Sequence, residues 1–94
     1  MFIYVTEAKY LDNYEVKLEF NDGKVGIVNL ENELYGTMFE PLKDKRVFST
    51  VRLDRDLDTI TWDNGADLAP EFLYYQSFKD DKSLEKQFKE WGYC

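Results

Sequence analysis

The stretch Tyr14-Glu15-Val16-Lys17-Leu18-Glu19-Phe20-Asn21-Asp22-Gly23 constrains the fold more than any other part of the chain. Tyr14, Val16, Leu18 and Phe20 alternate with charged residues, the period of a strand with one buried face. Asp22-Gly23 then suits the two central positions of a tight hairpin turn, both of which need positive φ. With that turn Phe20 faces Val25 and Leu18 faces Ile27, so apolar pairs share one face of the hairpin.

Upstream, Phe2 to Tyr10 is rich in strand formers and is expected to pair with this strand across a three-residue loop, Leu11-Asp12-Asn13. That parity sets Ala8 opposite Val16 on the core face and turns Ile3 and Val5 to the other face. Downstream, Leu30 to Gly36 predicts a short turn or one-turn helix. Asp44 to Ser49 predicts a brief helix with Asp44 as N-cap and Phe48 turned inward. Val51-Arg52-Leu53 and Thr59-Ile60-Thr61-Trp62 predict a second hairpin around Asp54 to Asp58. Pro70 fits the first position of a helix carrying Phe72, Leu73 and Tyr74. From Ser83 to Trp91, the spacing of Leu84, Phe88 and Trp91 predicts a last helix, which Gly92 ends.

Strands early and helices late make an α+β order: a small antiparallel sheet of N-terminal hairpins, short helices packed against it, and a C-terminal helix. One domain is expected over residues 1–94, with its core in 1–76 and a helical extension in 77–94. The core predicted from these patterns is Val16, Leu18, Phe20, Val25, Ile27, Phe48, Ile60, Trp62 and Leu73. Seven Phe, seven Tyr and two Trp supply enough buried area for a chain of this length.

Composition removes most chemistries. The chain has no histidine, the usual general base near neutral pH and a common metal ligand. Its single cysteine, Cys94, excludes an internal disulfide and a cysteine zinc site, and is expected to be an inert end rather than a pairing thiol. No glycine-rich phosphate loop occurs. Asp54, Asp56 and Asp58 alternate like the opening of a calcium loop, but Thr59 and Gly65 stand where that loop needs glycine and glutamate, so a hairpin turn explains them better. No catalytic residue, cofactor or metal is therefore expected.

Nineteen acidic against twelve basic residues give a formal charge of −7. Such a surface repels phosphate backbones and favours a basic protein partner, so direct nucleic-acid binding is not expected. No apolar run approaches membrane-spanning length, and Met1 to Glu7 does not have the make-up of a signal peptide. A cytoplasmic location is the expectation.

One polar loop remains as a candidate interaction or ligand site: Trp62, Asp63, Asn64, Gly65, Asp67 and, at the start of the helix, Glu71. Paired acids can perform acid–base work if burial separates their pKa values. A turn in which Asp and Asn side chains bond to nearby amides accounts for the same residues more simply, with Asp67 expected to tie the loop. The Leu84, Phe88, Trp91 stripe either packs on the sheet or holds a partner, and packing is the simpler account.

The hairpin segment Tyr14 to Gly23, then Leu42 and Phe48, then Thr59-Ile60-Thr61-Trp62-Asp63-Asn64-Gly65-Ala66-Asp67-Leu68-Ala69-Pro70-Glu71-Phe72-Leu73-Tyr74 resemble the bacterial domain of unknown function 2442, over about residues 1–76. The resemblance implies a small α+β fold without established enzymatic activity. Some members of that family sit beside a small partner protein in a proposed toxin–antitoxin pair, and others carry a helix-turn-helix after the domain. Residues 77–94 have room for one helix, not two and a turn, so no such appendage is expected. The function expected is a non-enzymatic protein-interaction module, such as the antitoxin-like member of a two-protein pair. A carboxylate-based enzyme or small-ligand binder using residues 63–71, and a structural domain that self-associates through a strand edge, are the alternatives.

Overall fold

In the computed structural model, which describes residues 2–93, β2 (Glu15–Phe20) lies between β1 (Val5–Asp12) and β3 (Val25–Asn29) in a three-stranded antiparallel sheet. A second, two-stranded sheet pairs β4 (Arg52–Asp54) with β5 (Thr59–Thr61). Three short helices complete the α+β fold: α1 (Lys45–Phe48), α2 (Pro70–Phe78) and α3 (Glu85–Glu90). Short 3₁₀ turns at Glu31–Glu33, Glu40–Lys43 and Lys82–Leu84 link the elements. Cys94 lies outside the described residues.

The local signals place the elements well. Asp44 caps α1 by accepting from the Arg46 amide at 2.9 Å, and Phe48 is fully buried. The Arg46 side chain, followed by its amide, holds the Asp44 carboxyl below its ordinary range. Pro70 opens α2 from an extended Ala69. α3 follows its 3₁₀ turn, and Gly92 takes φ +84 just past its end. The aspartates after Leu53 are a turn: Asp54 Oδ1 accepts from the amides of Asp56 and Leu57, and Asp58 takes φ +57.

The hairpin register differs from the expectation by one residue. Asp22 does not adopt positive φ, whereas Gly23 does, at +86°. Phe20 N–H donates to Lys24 O at 3.0 Å, which closes a three-residue loop, Asn21-Asp22-Gly23, with glycine in the left-handed position. Leu18 therefore faces Gly26, Val16 faces Val28 and Lys17 faces Ile27. The slip turns Val25 and Ile27 to the outer face, 47% and 56% exposed, and replaces them in the core by Val28 and Leu30. Packing explains the choice. A Cβ on Gly26 would stand 2.9 Å from Ser77 Cβ and 3.1 Å from the Phe78 ring, so any larger residue beneath α2 would force the helix to shift on the sheet.

β1 departs in the same way. Tyr10, not Ala8, lies opposite Val16, and Ala8 faces Leu18 while keeping its expected place against the core. The turn is Asn13-Tyr14, with Asn13 at φ 50°, rather than Leu11-Asp12-Asn13. Irregularities at Thr6 and Leu11 each add one residue to β1. The first resets the parity, so Ile3 and Val5 point into the core at 4% and 2% exposure instead of away from it. Val5 N–H then donates to Asp58 O at 3.0 Å, joining the start of β1 to the second hairpin.

The core is aromatic. Phe20 meets Tyr74 edge-on at 5.0 Å, Tyr14 meets Phe48 at 5.2 Å, and Phe48 meets Trp62 at 5.6 Å. Each such pair adds roughly 0.5–1.5 kcal/mol beyond area burial. The C-terminal stripe joins this core: Phe88 is buried against Tyr74 and Tyr75, and Trp91 lies 5.9 Å from Tyr74.

Candidate functional site

The 62–71 segment leaves β5, turns at Asn64-Gly65 and enters α2. Trp62 is buried, and its Nε1–H donates to Phe48 O at 3.0 Å, locking the strand end onto α1. Gly65 takes φ +86, which lets its N–H reach Trp62 O while Trp62 N–H donates to Ala66 O. Asn64 bridges two segments: Oδ1 accepts from the Ala66 amide at 3.0 Å, and Nδ2 donates to Met38 O at 2.8 Å. The tie expected of Asp67 is thus made by Asn64, while Asp67 pairs through its backbone with Thr61. Thr61 and Thr59 hydroxyls donate to Ala66 O and Leu68 O, completing a segment built chiefly to be rigid.

Its carboxylates go separate ways. Asp63 is exposed and pairs with Arg52 at 2.6 Å. Glu71 lines a shallow depression with Ala69, Trp91 and Tyr93, which contains neither Asp63 nor Asp67. Burial, and then the charge of Glu71, raises the pKa of the Tyr93 phenol. No group of His, Cys, Asp or Glu among the described residues is placed to hold a metal ion.

What the rigid loop does position is an apolar groove of about 210 Å³, lined by Glu33, Tyr35, Phe39, Leu68 and Phe72. Leu68 and Phe72 come from the candidate segment and the start of α2. Tyr35 and Phe39 come from the segment that Asn64 holds through Met38. Tyr35 and Met38 are 68% and 46% exposed. Every apolar lining residue has an acid within two positions in sequence: Glu33 near Tyr35, Glu40 beside Phe39, Asp67 beside Leu68 and Glu71 beside Phe72. Sequence reasoning missed this groove, because a single Tyr or Met in a turn carries no periodic signal of exposure.

The α+β arrangement of a three-stranded sheet, a small hairpin and short helices defines the class. The chain belongs to the family described as protein of unknown function (DUF2442), which it matches over residues 5–79. No curated protein matches it. Among solved structures, the chain is similar to "Putative DNA Binding Protein NE0471" from Nitrosomonas europaea ATCC 19718, with a TM-score of 0.73 at 18% identity. That likeness covers 85% of this chain and 52% of the other, so this chain spans about half the length of that protein. Among the described residues no helix is long and apolar enough to cross a membrane.

Proposed function

We propose that this domain is a non-enzymatic protein-interaction module that docks a basic protein in the groove between Tyr35, Phe39, Leu68 and Phe72, without a cofactor, in the cytoplasm. The observation that carries this reading is the exposure of Tyr35 in that groove, with exposed Met38 one residue before the lining residue Phe39, within a framework pinned by Asn64. Aromatic residues and methionine are enriched at protein interfaces. The acids along each lining segment, on a chain of net charge −7, favour a positively charged partner. The finer form of the proposal makes the domain the antitoxin-like, neutralising member of a two-protein pair.

Divergence of the carboxylates supports a non-enzymatic role: Asp63 is engaged with Arg52, and Glu71 faces Trp91 and Tyr93. DNA binding, which the name of the Nitrosomonas europaea protein carries, sits poorly with this chain's charge.

Affinity capture from the native host tests the proposal, with wild-type domain and a Tyr35→Asp, Met38→Asp double variant as parallel baits. The expected outcome is a basic protein held by the wild type and lost from the variant. Equal capture by both baits, or no captured protein, contradicts it.

A further inference from the structure

The outer face of the three-stranded sheet sets like charges against each other. Across β1 and β2, Glu7 stands directly opposite Glu19, and Lys9 directly opposite Lys17. β3 extends both rows, with Val25 opposite Glu19 and Ile27 opposite Lys17. Glu19 is half-buried, and the other five residues are exposed. Like charges directly opposite on one face of a sheet are destabilising. Among the described residues, none of these four charged groups takes part in an ion pair. Glu19 accepts one long bond, from the Thr6 hydroxyl at 3.5 Å. A shallow depression of about 290 Å³ lies on this face, lined by Glu7, Ala8, Lys9, Lys17, Glu19 and Val25. It shares no residue with the groove at Tyr35 and Phe39.

We infer that this face docks on the same face of a second copy, about a two-fold axis that runs across the strands between the two rows. That axis lays each strand on its own counterpart with the direction reversed. Glu7 then meets the second copy's Lys9, Glu19 its Lys17 and Val25 its Ile27, and symmetry makes each contact twice. The rows select this axis: one running along β2 would set Glu19 on Glu19 and Lys17 on Lys17. Facing sheets pack about 10 Å apart with their strands within about 30°, a gap that a Lys and a Glu side chain span together. Charge also selects the occupant. A basic partner would meet Lys9 and Lys17, and an acidic one Glu7 and Glu19. A second copy offers the opposite charge at all four positions and an apolar residue against each apolar one. Repulsion between two chains of net charge −7 acts over longer distances, and salt screens it beyond about 8 Å at physiological ionic strength.

Sedimentation of the purified chain at physiological salt tests the docking. Two rows across three strands make a small interface, so the dilution series starts from about 1 mM. The wild type is expected to dimerise. Glu19→Lys and Lys17→Glu are each expected to weaken dimerisation by at least about tenfold, because each sets like charges together twice across the axis. Within its own copy, each change instead places an opposite charge across from Glu7 or Lys9. The dilute single variants should therefore unfold thermally at or above the wild-type temperature, which separates lost docking from lost folding. Combining the two changes should restore dimerisation, since position 19 again meets an opposite charge at the second copy's position 17. A wild type that stays monomeric throughout overturns the inference and leaves the face to another partner. Single variants that dimerise like wild type also overturn it, as does a double variant that fails to recover what the singles lose.

Discussion

The hydroxyl of Tyr74 donates to Asp22 Oδ2 at 2.7 Å, tying the middle of α2 to the β2–β3 turn across 52 positions of sequence. Tyr74 is buried, and its ring meets Phe20, Phe78, Phe88 and Trp91. The bond therefore joins the sheet, α2 and the C-terminal segment through one side chain.

Burial first, and then the Asp22 carboxylate, raises the pKa of the Tyr74 phenol well above its ordinary value of 10.0. Tyr93 is shifted in the same direction. The folded state thus keeps these protons longer than the unfolded chain does. The stability they contribute is fully present below pH 10.0 and is lost as pH rises through the folded values. Denaturant unfolding at increasing alkaline pH should show that decline, with a shallower slope in Tyr74→Phe. At neutral pH the same variant should lose about 1–2 kcal/mol, since Asp22 loses its donor.

Gly26 and Gly23 should respond to alanine for different reasons. At Gly26 the new Cβ meets Ser77 at 2.9 Å, and relief requires α2 to shift on the sheet, so Gly26→Ala should cost roughly 1–3 kcal/mol. At Gly23 nothing stands within 4 Å, and only the backbone at φ +86 objects, so Gly23→Ala should cost about 1 kcal/mol. Chemical denaturation measures both, and proton spectra of the Phe78 ring should change only in the first.

Within the 62–71 segment, Asn64 should matter more than Asp63. Asn64→Ala removes the bonds to Ala66 N and Met38 O, and should cost about 1 kcal/mol while loosening the groove's rim. Asp63→Asn removes only an exposed pair with Arg52 and should change stability by less than about 1 kcal/mol. Thermal unfolding gives the first difference, and amide exchange at Met38 and Phe39 the second.

Those contrasts show what the sequence could and could not reveal. Alternation at Val16, Leu18 and Phe20, the cap at Asp44 and the proline at the start of α2 are local effects, and each element forms where they indicate. The DUF2442 relationship was readable from the hairpin and the Trp62 to Pro70 stretch. Register was not. Asp22-Gly23 fits both a two-residue and a three-residue loop, and the contact of Gly26 with Ser77 and Phe78, 51 and 52 positions away, favours the second. The extra residue at Thr6 likewise accompanies a bond from Val5 to Asp58, which no pattern near the N-terminus encodes. Of the candidate loop, Trp62, Asn64 and Gly65 were recognisable as turn and anchor, whereas the groove depends on Tyr35 and Phe39 arriving from elsewhere.

The most direct measurement of the interaction proposal is a residue-resolved footprint: amide chemical-shift changes of the labelled domain on titration with the captured partner. The account predicts that the largest changes fall in residues 33–39 and 67–72, and that they vanish in the Tyr35→Asp, Met38→Asp protein. Changes centred instead on the outer face of β1 and β2, with residues 33–39 unmoved, would contradict it.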